Sequence, residues 1–279
     1  MKKFIAAFDS LRLSESTLSY AIDLAKGAGA HLVGVFLEDP HLHGYSLSEL
    51  TRYEGTSFDQ HVAALNSVDD HLRQASISRF RHVCQSAGIS YALHRDRGAP
   101  IDELLAESIY ADLLLVSADT APGSAERELP SVFARGLLQE AQCALLLLPV
   151  HYRHITRVCL LYDGSPASVE ALRTFSYVFC KFKQLETEVI TVRTDREDGR
   201  LPGARLIREF VKRHYPAATY TLLKGDPEEE IVQYLEGQRV PAFIVLGAYR
   251  RGALSRLFRP SMADGLLRRL GMPLFVAPH

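Results

Sequence analysis

The residues with the clearest chemical potential lie in segment 247–261, whose sequence is GAYRRGALSRLFRPS. The segment follows a short apolar run that predicts a buried strand and precedes a pattern that predicts a helix. Gly247 and Gly252 let a ligand approach the backbone, Ser261 can donate a hydrogen bond, and a helix N-terminus offers free N–H groups. Arg250 and three further arginines add positive charge. The pattern favours a bound anion such as phosphate, although a strand-to-helix loop with a solvated basic rim has the same composition.

Two aspartates stand directly after other apolar runs that predict buried strands. Asp9 follows KFIAAF near the N-terminus, and Asp163 follows VCLLY, with Gly164 and Ser165 next in the chain. A carboxylate in this position accepts hydrogen bonds, for instance from an adenine amino group or a ribose hydroxyl. No Ser–His–Asp or Cys–His arrangement accompanies either aspartate, so slow hydrolysis of a bound nucleotide is the most catalysis that we expect.

The elements that must position these residues alternate along the chain. Short apolar runs are separated by stretches of helical periodicity, which predicts parallel strands joined by right-handed helical crossovers. In such a sheet, ligands bind beyond the carboxyl ends of the strands, where the strand order reverses. If the first and fourth strands of each unit flank that point, Asp9-Ser10 meets Ser117–Thr120 in one unit. In the other, Asp163-Gly164-Ser165 meets Gly247–Gly252.

The order of elements occurs twice. Asp9 and Asp163 are 154 positions apart, whereas Pro100 and Pro227, each at the start of a predicted helix, are 127 apart. The difference of 27 residues matches an excursion in the first half at about 38–60, which is rich in His, Gly, Ser and Tyr. The predicted fold is α/β, with two tandem doubly wound five-stranded parallel-sheet domains of the Rossmann-like type.

The predicted domains span residues 1–150 and 155–279 and dock as an intramolecular pseudo-dimer. Exposed sheet edges or the excursion could pair two copies of the chain, which leaves a homodimer open. A long helix at 61–87 is predicted to follow the excursion and to turn Val68 and Leu72, among other apolar residues, toward the core.

Composition excludes several classes of protein. The net charge of -1 gives no reason to expect nucleic acid or an anionic membrane surface as a partner. The 4 cysteines are scattered without a CxxC pair, which argues against a zinc site or a disulfide framework and suits a reducing compartment. No signal peptide or membrane span is expected from the hydrophobic pattern, and the expected location is the cytoplasm.

These motifs together resemble the universal stress protein family in its tandem two-domain form, over essentially the whole chain. The resemblance rests on three motifs: Asp9 and Asp163-Gly164-Ser165 after the first strands, Gly98-Ala99-Pro100 and Gly225-Asp226-Pro227 before the third helices, and the fourth-strand loop. It implies a cytoplasmic, typically dimeric protein of the adenine-nucleotide α-hydrolase-like group that functions in stress survival. It also implies ATP or another adenine nucleotide as ligand, with Mg²⁺ accompanying it.

Family members bind ATP through a loop that reads Gly, two residues, Gly, nine residues, then Gly and Ser or Thr. The second half keeps this spacing but carries Gly247, Arg250 and Pro260 at the three glycine positions, followed by Ser261. A side chain at Arg250 either blocks the approach of a phosphate to the backbone or supplies a cation in its place. Proline at 260 has no N–H to donate.

The first half departs further from the family loop. The same frame holds Ser117, Thr120, Pro130 and Ser131, so none of the three glycines is present. Ser131 and Ser261 also suit the N-cap position of the following helix whatever else they do. The second half is therefore the more intact of the two predicted sites.

Three functions remain open on the sequence. The first is a stress-response protein that holds an adenine nucleotide in its second half, and the second is an interaction protein of the same fold without a nucleotide. The third is an enzyme such as an ATP pyrophosphatase. The absence of an SGGxDS-type loop after either first strand disfavours this third function.

Overall fold

The computed structural model describes residues 1–38, 56–97, 99–122, 128–193, 200–247 and 260–277. The strands of the first half, β1 to β5, are Lys3–Asp9, His31–Glu38, Tyr91–Arg97, Leu113–Ser117 and Ala144–Leu148. The helices between them, α1 to α4, are Glu15–Ala28, Thr56–Ala87, Pro100–Ser108 and Val132–Glu140. In the second half, β6 to β10 are Arg157–Leu161, Glu186–Arg193, Thr219–Lys224, Ala242–Gly247 and Leu274–Ala277. The helices α5 to α8 are Pro166–Val178, Ala204–His214, Pro227–Gln238 and Pro260–Leu270, and a 3-10 helix spans Cys180–Gln184.

The strands form one ten-stranded sheet in the order β3-β2-β1-β4-β5-β10-β9-β6-β7-β8. Within each half all neighbouring strands are parallel, and each half has the order third, second, first, fourth, fifth. The strand order therefore reverses between β1 and β4 in the first half and between β6 and β9 in the second. The predicted doubly wound α/β fold is confirmed. The two halves are joined into a single sheet because β10 pairs with β5 in antiparallel orientation.

Local sequence explains where the helices begin. Ser14, Ser131, Ser165 and Asp226 are N-caps whose side chains accept hydrogen bonds from backbone N–H groups in the first turn. These bonds satisfy donors that the helix itself leaves without a partner. Proline is the first residue of α3, α5 and α7, where its missing N–H breaks no intrahelical bond. Ser131 is thus a cap, as predicted, whereas Ser261 is the second residue of α8.

Helices cover both faces of the sheet and enclose two hydrophobic layers. One layer lies beneath α1, α2, α5 and α6, and the other beneath α3, α4, α7 and α8; each runs through both halves without interruption. Where the halves meet, Phe179 contacts the rings of Phe175, Phe243 and Phe275 from its own half and that of Phe4 from the other. The core is therefore shared between the halves.

The long helix differs from its prediction in length and orientation. It begins at Thr56, within the predicted excursion, and residues 39–55 of that excursion lie outside the described residues. Val68 and Leu72 are 56% and 44% exposed, so their predicted inward orientation was wrong, and Asp69 is buried instead. Arg73, one turn further along α2, has a positive charge that acts to lower the pKa of Asp9.

The described helices are amphipathic elements of a packed core rather than uniformly apolar segments. None is long and apolar enough to cross a bilayer. The two core layers instead account for the burial of the apolar helix faces.

Candidate functional site

The first-half candidate site is a cavity of about 310 Å³ at the carboxyl ends of β1 and β4. Asp9, Ser117 and Thr120 line it, so the structure brings together residues that the strand-order argument expected to meet. The parallel pairing of β1 with β4 is responsible, because it ends both strands at the same edge of the sheet. Asp119, within the expected range Ser117–Thr120, also lines the cavity, as do Arg12 and Glu15, which were not predicted. The walls thus carry charges of both signs.

The carboxylate of Asp9 is held in place at an energetic cost. Its Oδ1 accepts a hydrogen bond of 2.9 Å from the backbone N–H of Leu11. Burial raises the pKa of Asp9 above its ordinary value, and this hydrogen bond together with the positive charges of Arg12 and Arg73 offsets only part of the shift. A carboxyl group with a raised pKa in a cavity is typical of a functional site.

Arg73 does not line the cavity, but α2 brings its charge near enough to Asp9 to lower the pKa of that carboxyl, an effect that the sequence did not predict. One of its terminal nitrogens lies 3.0 Å from Oδ1 of Asp70, and its Nε is buried without a hydrogen-bond partner among the residues that the structure describes. A buried guanidinium N–H without a partner is a donor available to an acceptor. The position of Arg73 relative to Asp9 depends on how α2 packs against the sheet, and no motif in the sequence indicates that packing.

The predicted serines of the first half are both engaged within the protein. The hydroxyl of Ser117 donates to Asp119, and that of Ser131 donates to the backbone carbonyl of Thr120. Ser131 Oγ also accepts from the N–H of Ala134 at 3.1 Å as the cap of α4. Both serines are buried. Their hydroxyls therefore stabilise the loop between β4 and α4, and Ser117 does so at the wall of the cavity.

In the second half, Asp163, Gly164 and Ser165 form the turn between β6 and α5. The backbone N–H of Ser165 donates to Oδ1 of Asp163 at 2.9 Å, which repeats the contact between Leu11 and Asp9 in the first half. Gly164 has a φ of 86°, a conformation that favours glycine. The two aspartates are thus equivalent by local geometry as well as by position.

Gly247 ends β9 and packs directly against the first turn of α5. A Cβ atom at this position would lie 2.4 Å from the carbonyl carbon of Ala167 and 2.8 Å from the backbone nitrogen of Ser168. The structure therefore brings Gly247 to the same edge as Asp163, since β9 pairs with β6. Arg250 and Gly252 fall in 248–259, outside the described residues, and Ser261 lies in the first turn of α8.

The described side chains at these edges suit hydrogen bonding to a polar ligand better than covalent chemistry. Carboxylates at Asp9 and Asp163 accept from hydroxyl or amino groups, and Arg12 and Arg73 donate to acceptors. Among the described residues, no three His, Cys, Asp or Glu side chains come together as a metal site.

The fold and the two candidate sites define the class of protein. It has two doubly wound α/β units that share one sheet, and each unit has an aspartate at its switch point. No family model matches the sequence, and no curated protein matches it either. Comparison with solved structures does find the same fold.

The crystal structure of a universal stress protein from Archaeoglobus fulgidus aligns with a TM-score of 0.68 and 18% identity, over 99% of this chain and 98% of that one. A protein of unknown function from Pseudomonas aeruginosa aligns with a TM-score of 0.57 and 15% identity, over 100% and 92%. The cytoplasmic domain of a prokaryotic cation chloride cotransporter aligns with a TM-score of 0.52 and 10% identity, over 99% and 94%. The chain thus has the fold of a universal stress protein along its whole length, as the resemblance predicted.

Proposed function

We propose that this chain is a stress-response binding protein of the universal stress type, and that its second half holds one adenine nucleotide. The observation that carries the proposal is the parallel pairing of β6 with β9. Because of this pairing, Asp163, which follows β6, and Gly247, which ends β9, lie at the same edge of the sheet. Ligands of doubly wound sheets bind at such a point. The adenosine end of the nucleotide would contact Asp163, and the phosphates would occupy the loop between Gly247 and Ser261.

In this proposal Arg250 supplies the positive charge that the missing motif glycine cannot. An arginine donates charge-assisted hydrogen bonds to phosphate oxygens, whereas a glycine offers only backbone N–H groups. The same proposal leaves the first half without a nucleotide. Asp119 stands in the first-half cavity and is bonded to Ser117, so a phosphate there would meet a negative charge.

The proposal is tested by calorimetric titration with ATP and Mg²⁺, which should give one bound nucleotide per chain. Asp163→Asn and Asp9→Asn are a matched pair, because asparagine keeps the carbonyl oxygen that accepts from Ser165 or Leu11. Asp163→Asn should weaken ATP binding by about tenfold, the value of one good hydrogen bond to a charged group. Asp9→Asn should leave it unchanged. No heat at millimolar ATP, or an equal effect of the two substitutions, would refute the proposal.

The role of Arg250 is separated from that of Asp163 by the choice of ligand. Arg250→Gly should weaken the binding of ATP and leave the binding of adenosine unchanged, because adenosine has no phosphate. Tighter ATP binding by Arg250→Gly would instead identify the arginine as an obstacle.

A second candidate function is an interaction protein of the same fold that binds no nucleotide. It is favoured by the two engaged serines of the first half and by Gly247, whose missing side chain is explained by packing against Ala167. Adenine absorbance in the purified protein, or saturable ATP binding, would exclude it. The catalytic role open to the chain under the first proposal is slow hydrolysis of bound ATP.

A further inference from the structure

A second and larger cavity, of about 690 Å³, lies between α5 and α6 on the outer side of the second half. We call it the α5–α6 groove; it is lined by Tyr162, Val169, Glu170, Arg173, Leu206 and Phe210, among others. Its volume falls within the range of about 300–1,000 Å³ that is typical of small-molecule sites. The groove opens beside the switch point without including Asp163 or Gly247.

The groove has an apolar wall that is left in contact with solvent. Leu206 is 64% exposed although it stands beside Ile207, which is buried, and Phe210 is half-buried on the next turn of α6. The hydroxyl of Tyr162 donates to the carbonyl of Pro202 at 2.8 Å, so the tyrosine presents its ring rather than a free hydroxyl. Removing such an apolar surface from water is favourable, at roughly 25 cal/mol per Å².

The corresponding face of the first half is covered by the protein itself. Its helix α2 has 32 residues, whereas the equivalent α6 has 11. The fourth residue after the N-cap is Leu18 in α1 and Val169 in α5; Leu18 is fully buried and Val169 only half-buried. The shorter helix of the second half therefore leaves uncovered a surface that the first half encloses.

Among the described residues that line the groove, the charged ones are Glu170 and Arg173, which form an ion pair. An Arg173 guanidinium nitrogen lies 2.6 Å from Oε2 of Glu170, and Oε1 of the same glutamate accepts from the hydroxyl of Thr174. A charged ligand would have to compete with one partner of this pair and leave the other without its counter-ion, which is unfavourable once water is excluded. An uncharged ligand with a donor or acceptor group can add a hydrogen bond to the rim without breaking the pair.

We propose that the α5–α6 groove binds an uncharged, largely apolar small molecule that carries one hydrogen-bonding group. The apolar body of this ligand lies against Val169, Leu206 and Phe210, and its polar group faces the Glu170–Arg173 pair. The groove shares Gly164 with the predicted nucleotide site but neither aspartate nor the phosphate loop, so its apolar wall is separate from that site.

The experiment uses two fluorescent probes with the same apolar body. N-phenyl-naphthylamine is uncharged and has one N–H donor, and anilinonaphthalene sulfonate is its anionic analogue. The full-length protein should bind the uncharged probe saturably, once per chain, with a blue shift and an affinity about tenfold above that of the sulfonate. Binding of the sulfonate as tight as that of the uncharged probe would overturn the proposal, as would a failure to saturate.

Two substitutions with the same change locate the probe. Leu206 and Val132 both lie in the first turn of a helix and are 64% and 75% exposed, so neither should disturb folding when replaced. Leu206→Asp puts a carboxylate in the apolar wall and should weaken binding of the uncharged probe by about tenfold or more. Val132→Asp should leave the affinity for this probe unchanged. Equal effects of the two variants would overturn the proposal. So would a change of oligomeric state in Leu206→Asp, which would identify the groove as a contact between copies.

A further substitution tests whether the Glu170–Arg173 ion pair selects an uncharged ligand. Glu170→Gln removes the carboxylate and leaves Arg173 without this partner. Binding of the sulfonate should therefore tighten several-fold, and the affinity for the uncharged probe should stay the same. An unaltered preference between the two probes would show that the ion pair does not select the ligand and would refute this part of the proposal.

Discussion

A Cβ atom at position 247 would lie 2.4 Å from the carbonyl carbon of Ala167, so Gly247 is held against the first turn of α5 by backbone packing. This contact joins β9 to α5, the helix that follows β6, and β6 and β9 are the two strands at the second-half switch point. It also gives the glycine a structural role that does not depend on any ligand.

Gly247→Ala is therefore expected to destabilise the protein. The added methyl group forces the backbone of β9 or α5 to move, which costs about 1–3 kcal/mol in the free energy of unfolding. Gly237→Ala is the matched control, because that glycine lies in α7 with nothing within 4 Å of its added Cβ. The control should gain about 0.5–1 kcal/mol from helix propensity. Urea denaturation measures both, and a Gly247→Ala variant as stable as the wild type would contradict the close contact.

The alternation of strands and helices was predictable from periodicity, and the crossover rule favours parallel pairing within each half. That the first and fourth strands are neighbours entered the prediction only as a condition, because crossover handedness does not determine which strands pair. The joining of the two sheets through β5 and β10 was not predicted, although the sequence contains a sign of it. The strand Ala144–Leu148 reads ALLLL and is buried throughout, which does not suit an edge in water. The outer strands β3 and β8, YALHRDR and TYTLLK, carry the polar and charged residues that true edges have.

The candidate sites were predictable only where a residue's role follows from its position at the end of a strand. Asp9, Ser117 and Gly247 were placed in this way. Arg73 was not, because its approach to Asp9 depends on how a long helix packs. The burial of Asp69 in place of Val68 has the same origin, since helical periodicity gives the apolar face of an isolated helix and not the polar loop that it meets.

Replacing either of two carboxylates of the first half, Asp9 or Glu107, by its amide should change the free energy of unfolding in opposite directions. For Asp9, burial raises the pKa above 3.8, so its stabilising contribution is present below that value and is lost as pH rises through the folded-state pKa. For Glu107, burial acts to raise the pKa, but hydrogen bonds from Lys3 and His94 outweigh it, and the pKa is lowered from 4.5. Its contribution is present above that value and is lost as pH falls through the folded-state pKa.

At pH 7, Asp9→Asn should thus raise the free energy of unfolding, and Glu107→Gln should lower it by about 1–3 kcal/mol. Both differences should shrink as the pH falls, because the protonated carboxyls then resemble the amides. Urea denaturation over a pH series measures this. A loss of stability in Asp9→Asn at neutral pH would mean that ionised Asp9 has partners strong enough to compensate for its burial.

Ser131 should prove structural when it is replaced. Ser131→Ala removes the cap bond to the N–H of Ala134 and the donor to the carbonyl of Thr120, and should lower the free energy of unfolding by about 1–2 kcal/mol. Ser131→Thr keeps the hydroxyl and serves as the control. Thermal and urea denaturation measure the loss, and ATP titration of the same variants should show no change. Weaker ATP binding by Ser131→Ala alone would instead assign the hydroxyl to a ligand site.

The two halves should remain together when the connection between them is cut. The connecting residues 150–154 are exposed, so a protease site inserted there would be accessible. After cleavage, the contacts that still join the halves include the β5–β10 ladder, the 2.9 Å ion pair between Arg135 and Asp264, and the ring contact between Phe4 and Phe179. The cleaved protein should elute as one particle in gel filtration.

Phe179→Ala, which removes the ring from this shared core, should lower the free energy of unfolding by about 3–5 kcal/mol and let the cleaved halves separate at a lower urea concentration. Separate elution of the unmutated halves would show that the sheet is held together by the connection rather than by the contacts across it.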